Sequence, residues 1–120
     1  KESRAFIFVN LVDTDMLYGH RNDVEGYAAA LKYFDDQLPK IVEGLQKDDV
    51  LIVTADHGCD PSTPSTDHSR EYTPLLIYGD KINPVDLGTL IGFDHIADFV
   101  EALFGLKSGG TIYDKVIREV

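Results

Sequence analysis

The chain has 120 residues and a mass of 13.3 kDa, enough for one domain with a buried core. Against 11 Lys and Arg stand 21 Asp and Glu, a net charge of −10, which argues against nucleic acid or an anionic membrane as partner, because both select basic surfaces. A single cysteine, Cys59, excludes an internal disulfide framework and points to the cytoplasm, and no apolar run approaches the ~18 residues that a membrane span needs.

Residues 1–4 (K-E-S-R) lead directly into an apolar stretch with no initiator methionine, as expected of a piece of a larger protein. Residues 6–12 (F-I-F-V-N-L-V) are aromatic and β-branched, the pattern of a central strand covered on both faces. The polar stretch that follows holds Asp13, Asp15, His20 and Arg21. From Val24 the apolar positions Val24, Tyr27, Leu31, Phe34, Leu38, Ile41, Val42 and Leu45 step by three or four. That is the period of an amphipathic helix, with Asn22 or Asp23 as N-cap and a kink or break expected at Pro39.

Residues 50–54 (V-L-I-V-T) predict a second strand, and residues 58–73 a long polar loop rich in Ser, Thr, Pro and Asp. Loops of that length inside a compact domain tend to carry function. Residues 74–78 (P-L-L-I-Y) predict a third short strand before Gly79, and residues 80–92 a turn-rich connection. Asp94 can then cap a helix with Ile96, Phe99, Val100, Leu103 and Phe104 facing inward and Gly105 as its stop. Residues 111–120 predict a last short helix.

This order of elements implies a layered α/β core with a right-handed parallel crossover between residues 6–12 and 50–54. In a parallel pair both carboxyl ends lie on one sheet edge, so Asp15 and His20 would sit beside Asp56 and His57, and the long loop could return His68 to the same edge. Three histidines with carboxylates and no thiolate among them suit Mn²⁺, Zn²⁺ or Mg²⁺. Five such ligands exceed the needs of one ion and suit a pair, an arrangement that stabilises the attacking and leaving oxygens of a phosphoryl displacement.

Three motifs carry a resemblance: D-T-D-M-L-Y-G-H-R (residues 13–21), T-A-D-H-G (54–58) and T-D-H-S-R-E-Y-T-P-L-L-I-Y-G (66–79). Together they resemble the carboxy-terminal part of the bacterial, metal-dependent phosphopentomutases of the alkaline phosphatase superfamily, over residues 5–107. The middle motif is shared with cofactor-independent phosphoglycerate mutases, whereas the two flanking motifs are specific. The resemblance implies a layered α/β/α core with a mostly parallel sheet, of which only the C-terminal segment is present. It further implies two Mn²⁺ ions and a phosphothreonine enzyme that interconverts ribose 1-phosphate and ribose 5-phosphate and their 2-deoxy forms. By the same resemblance Asp15, His20 and His68 hold one ion, and Asp56 and His57 the other.

The family's nucleophilic threonine, the remaining aspartate ligand and the cap domain that holds much of the pentose phosphate all belong to segments outside this chain. The chain alone is therefore expected to be catalytically silent and to need its N-terminal core segment and cap domain as partners. Half of such a sheet would expose strand edges and apolar faces, so the chain by itself should associate. The competing readings are a phosphoglycerate mutase, another phosphatase of the superfamily, or a non-catalytic metal-binding fragment.

Other polar residues have plainer roles. Arg70 could clamp a substrate phosphate bidentately or pair with Glu71. Asp13 reads as a turn carboxylate, Asp60 and Asp67 as loop-holding Asx residues or, for Asp67, a partner that orients His68. Arg21 opens a charged helix surface, His95 reads as a capping or surface residue, and Cys59, where the family commonly has Asn, as a small packed residue. Tyr27, Phe34, Phe99 and Phe104 fall at helical core positions.

Overall fold

The computed structural model describes residues 4–11, 23–57, 72–92 and 94–117. They form three helices and two strands in the order α1 (Val24–Glu43), β1 (Leu51–Thr54), β2 (Leu75–Tyr78), α2 (Asp94–Leu103) and α3 (Thr111–Val116), an α/β composition. No helix among the described residues is long and apolar enough to cross a membrane. The chain divides into two compact units, one made of Lys1–Phe6, Lys47–Val50 and Tyr78–Val120, the other of Ile7–Gln46 and Leu51–Ile77.

In the second unit, α1 starts where the sequence predicts. The carboxylate of Asp23 accepts from the Gly26 N–H at 2.9 Å, satisfying one of the free amides of the first turn. Lys32 and Asp36, one turn apart, pair at 3.2 Å on the outer face. Of the kink or break expected at Pro39, the break does not occur: α1 runs through the proline. It removes only the bond to the carbonyl of Asp35, and Asp35 is exposed, so water can take that carbonyl's lone pairs. The apolar stripe is only partly covered: Phe34, Leu38 and Val42 are half-buried, while Val24, Leu31 and Ile41 are exposed, and no residue of α1 is buried.

β1 and β2 pair in a two-stranded sheet. Thr54 lies beside Pro74, whose carbonyl its hydroxyl reaches, and at the opposite end the Asp49 carbonyl crowds Gly79, so the strands run antiparallel. The parallel crossover expected from residues 6–12 is not found among the described residues. Residues 6–11 carry no strand, and Phe6, Ile7, Phe8, Val9 and Leu11 are all exposed. A strand apolar on both faces needs paired edges and layers above and below it, and the described residues supply neither to this segment.

The other unit contains the buried core of the described residues: Phe99 and Ala102 from α2, Ile112 and Val116 from α3. α2 ends as predicted at Gly105, whose φ of 77° is the left-handed conformation that only glycine takes without strain. The Leu106 N–H donates to the Glu101 carbonyl at 2.8 Å and the Gly105 N–H to that of Ala102 at 3.1 Å, the paired bonds of a Schellman cap. The Arg4 guanidinium adds a bond to the Leu103 carbonyl at 3.3 Å, a cation at the negative end of the helix. α3 is shorter than predicted. It stops at Val116, and Ile117 turns extended to form an antiparallel bridge with Ile82, joined by the bond from the Asn83 N–H to the Val116 carbonyl at 2.7 Å. Pairing of two β-branched residues here outweighs the continuation of a six-residue helix. Of the expected core aromatics, Phe99 alone is fully buried; Tyr27, Phe34 and Phe104 are half-buried.

Candidate metal centre

β1 is the element that positions the donors. Leu51, Ile52 and Val53 are half-buried, Thr54 closes the strand on an exposed face, and the chain leaves through Ala55 to Asp56 and His57. A short apolar strand anchored by its ladder thus delivers a carboxylate and an imidazole within three residues of its carboxyl end.

The two side chains meet. Asp56 Oδ1 lies 3.4 Å from His57 Nε2, with the Asp56 side chain 88% exposed and that of His57 22% exposed. Such a distance is long for a hydrogen bond. Two donors at ~2.0–2.2 Å from one tetrahedral ion stand ~3.3–3.5 Å apart by simple geometry, so the pair has the spacing of two ligands to a shared cation. Carboxylate oxygen and imidazole nitrogen are also the donor set that suits a hard or borderline divalent ion. The half-buried ring restricts His57, while Asp56 stays open to solvent and to an arriving cation.

Of the other residues singled out in the sequence, Asp15, His20, His68 and Arg70 lie outside the described residues. So do Asp13, Cys59, Asp60, Asp67 and Arg21. Among the described residues no group of three or more histidines, cysteines or carboxylates comes together as a metal cage. His95 behaves as expected of a local structural residue: its Nε2 lies 2.9 Å from the Ile91 carbonyl, one turn back, which requires the ring to donate there.

A polar tie not visible in the sequence lies next to the donors. The Thr54 hydroxyl donates to the Pro74 carbonyl at 2.8 Å, across 20 residues of chain. Neither residue type at that separation is a signal by itself; only the antiparallel pairing brings them together. A second polar cluster belongs to the other unit. Lys107 Nζ bonds Asp98 Oδ1 at 2.6 Å with Glu101 Oε1 at 3.8 Å. The Asp98 hydrogen bond and charge hold the Lys107 ammonium above the ordinary lysine pKa. This cluster ties the loop after α2 back onto the helix.

Comparison with known proteins gives the donors a context. The chain is 60% identical over 110 residues to the phosphopentomutase of Carboxydothermus hydrogenoformans, which covers 91% of this chain and 28% of that protein. It is 59% identical over 109 residues to that of Lachnoclostridium phytofermentans, covering 90% of this chain and 28% of that protein. With the phosphopentomutase of Vibrio cholerae it shares 54% identity over 101 residues, 84% of this chain and 25% of the relative. The chain thus spans between a quarter and a third of the length of these curated relatives. The family model described as the metalloenzyme superfamily matches residues 1–108. With nine-tenths of its length inside that match, the chain belongs to the metalloenzyme superfamily, a family of metal-dependent enzymes.

Proposed function

We propose that this chain is the C-terminal segment of the metal-binding catalytic core of a phosphopentomutase, with the N-terminal core segment and the cap domain contributed by sequence outside it. In this reading the longer protein interconverts ribose 1-phosphate and ribose 5-phosphate, and their 2-deoxy forms, in the cytoplasm. The observation that carries it is the Asp56–His57 pair at the end of β1, with donors 3.4 Å apart, inside a sequence 59–60% identical to proteins named phosphopentomutase. Those relatives, together with the residues 66–79 motif, weigh against a phosphoglycerate mutase.

Asp56 and His57 would hold one Mn²⁺ ion, and Asp15, His20 and His68 the other, in a layered α/β/α core of alkaline phosphatase type. Bound divalent ions supply charge neutralisation and orientation for in-line phosphoryl transfer. The chain's own residues do the rest of what falls to this segment. The exposed Asp56 carboxylate brings negative charge to the sheet edge, and the half-buried His57 ring presents a nitrogen in a restricted orientation. Arg70, two residues after His68, offers a planar fork for a substrate phosphate. The nucleophilic threonine lies outside this chain, so no phosphoenzyme forms on it and the isolated chain is inactive.

Two measurements test the reading. Titration of the chain with Mn²⁺ should show binding that Asp56→Asn or His57→Ala weakens at least tenfold, in line with the loss of one ligand. Unchanged affinity in both variants refutes the assignment. The longer protein should convert ribose 1-phosphate and leave 3-phosphoglycerate untouched; the reverse preference refutes the substrate.

A further inference from the structure

We infer that Thr54 is a positioning residue for the Asp56–His57 donor pair, acting through its hydroxyl bond to the Pro74 carbonyl; the inference rests on the metal reading of that pair. Pro74 has no N–H to give a ladder, and β2 begins only at Leu75. The ladder therefore ends at Thr54, the last residue of β1. The Thr54 hydroxyl supplies a last cross-strand bond at 2.8 Å instead.

Three features make that bond matter for the donors. Thr54 is exposed, so burial does not force its hydroxyl to find a protein partner; the bond forms in competition with water. Only Ala55 separates Thr54 from Asp56, so any freedom at the end of β1 passes directly to the carboxylate that is itself 88% exposed and has little else to hold it. Threonine's branching at Cβ narrows χ1, which aims the hydroxyl along the ladder where a serine would sample more rotamers. The bond thus fixes both feet of the segment that leaves β1 at Ala55 and returns at Pro74, and lowers the ordering cost of bringing Asp56 and His57 to one cation.

The test compares Mn²⁺ affinity of the chain, read by electron paramagnetic resonance of the free ion, for wild type, Thr54→Val and Thr54→Ser. Far-UV circular dichroism of each checks that the fold is kept. Valine preserves shape and branching and removes the hydroxyl; serine keeps the hydroxyl. The expected result is an affinity about two- to tenfold weaker in Thr54→Val, the size of one hydrogen bond, with recovery to within about twofold in Thr54→Ser. Should Thr54→Val lose its circular dichroism signal, Thr54→Ala removes the same hydroxyl without adding apolar surface, and the same weakening is expected of it. Wild-type binding that Thr54→Val leaves unchanged overturns the role of Thr54 while the donor pair stands. Weakening in Thr54→Ser as large as in Thr54→Val overturns it too, because the hydroxyl is then not the cause. Absence of Mn²⁺ binding by the wild-type chain overturns the donor pair and this inference with it.

Discussion

Replacing Gly79 by alanine tests the antiparallel register on which the placement of Asp56 and His57 depends. Gly79 follows β2, and a Cβ there would stand 2.6 Å from the Asp49 carbonyl oxygen, with Val50 Cα and Ile82 Cγ1 both at 3.5 Å behind it. Because the clash is with backbone and the other two atoms close the way out, the strand ends must part by at least about 0.4 Å to reach a tolerated 3.0 Å. Forcing a methyl into a fitted site costs typically ~1–3 kcal/mol, and the smaller entropy of the unfolded alanine chain offsets ~0.4–1 kcal/mol of that. A net loss of ~1–2 kcal/mol should lower the thermal midpoint by ~4–8 °C for a domain near this size. Gly44 serves as the control. Its φ of −79° is ordinary helical backbone, the nearest atoms to a Cβ are at 3.5 and 3.7 Å, and Gly44→Ala should stabilise by ~0.4–1 kcal/mol. Thermal melts of the two variants followed by circular dichroism decide the matter. A Gly79→Ala midpoint equal to or above that of wild type would mean that Asp49 does not lie against Gly79, and the register would be wrong.

Two further outcomes follow from features of the same chain. The Lys107 ammonium, held above the ordinary lysine value of 10.5 by Asp98, should titrate above that value in side-chain NMR and fall back toward it in Asp98→Asn. Its contribution to stability is fully present below the unfolded-state pKa and is lost as pH rises through the raised folded-state pKa, so alkaline destabilisation should begin above pH 10.5 and be smaller in the variant, where Glu101 and Asp94 remain. The exposed apolar run at Phe6, Ile7, Phe8, Val9 and Leu11 should make the isolated chain self-associate in sedimentation experiments, and Phe8→Lys should shift it toward monomer; a chain monomeric without the substitution refutes this.

What could be read from the sequence was what is decided locally. The Asp23 cap of α1, the Gly105 stop of α2 and the two apolar strands at residues 50–54 and 74–78 all answer to signals spanning a few residues. Outcomes decided by contacts distant in sequence were not legible. Residues 6–12 have the composition of a buried strand, yet composition cannot supply the paired edges that a strand needs, and residues 6–11 are left exposed. Ile117 left its helix because Ile82 lay within pairing distance. The bond from Thr54 to Pro74 required the antiparallel partner to be known first. Asp56 and His57 follow the second strand as the sequence order places them, and the structure adds an Oδ1–Nε2 distance of 3.4 Å.

The closed feet at Thr54 and Pro74 also bear on how this segment tolerates changes of length. Register between β1 and β2 is set by the ladder and by crowding at its far end, against Gly79, not by a tight turn of fixed residue count. Closure entropy grows only logarithmically, so even doubling the chain between the feet costs ~0.6 kcal/mol. A change of length between residues 58 and 71 should therefore cost the pairing of β1 with β2 little.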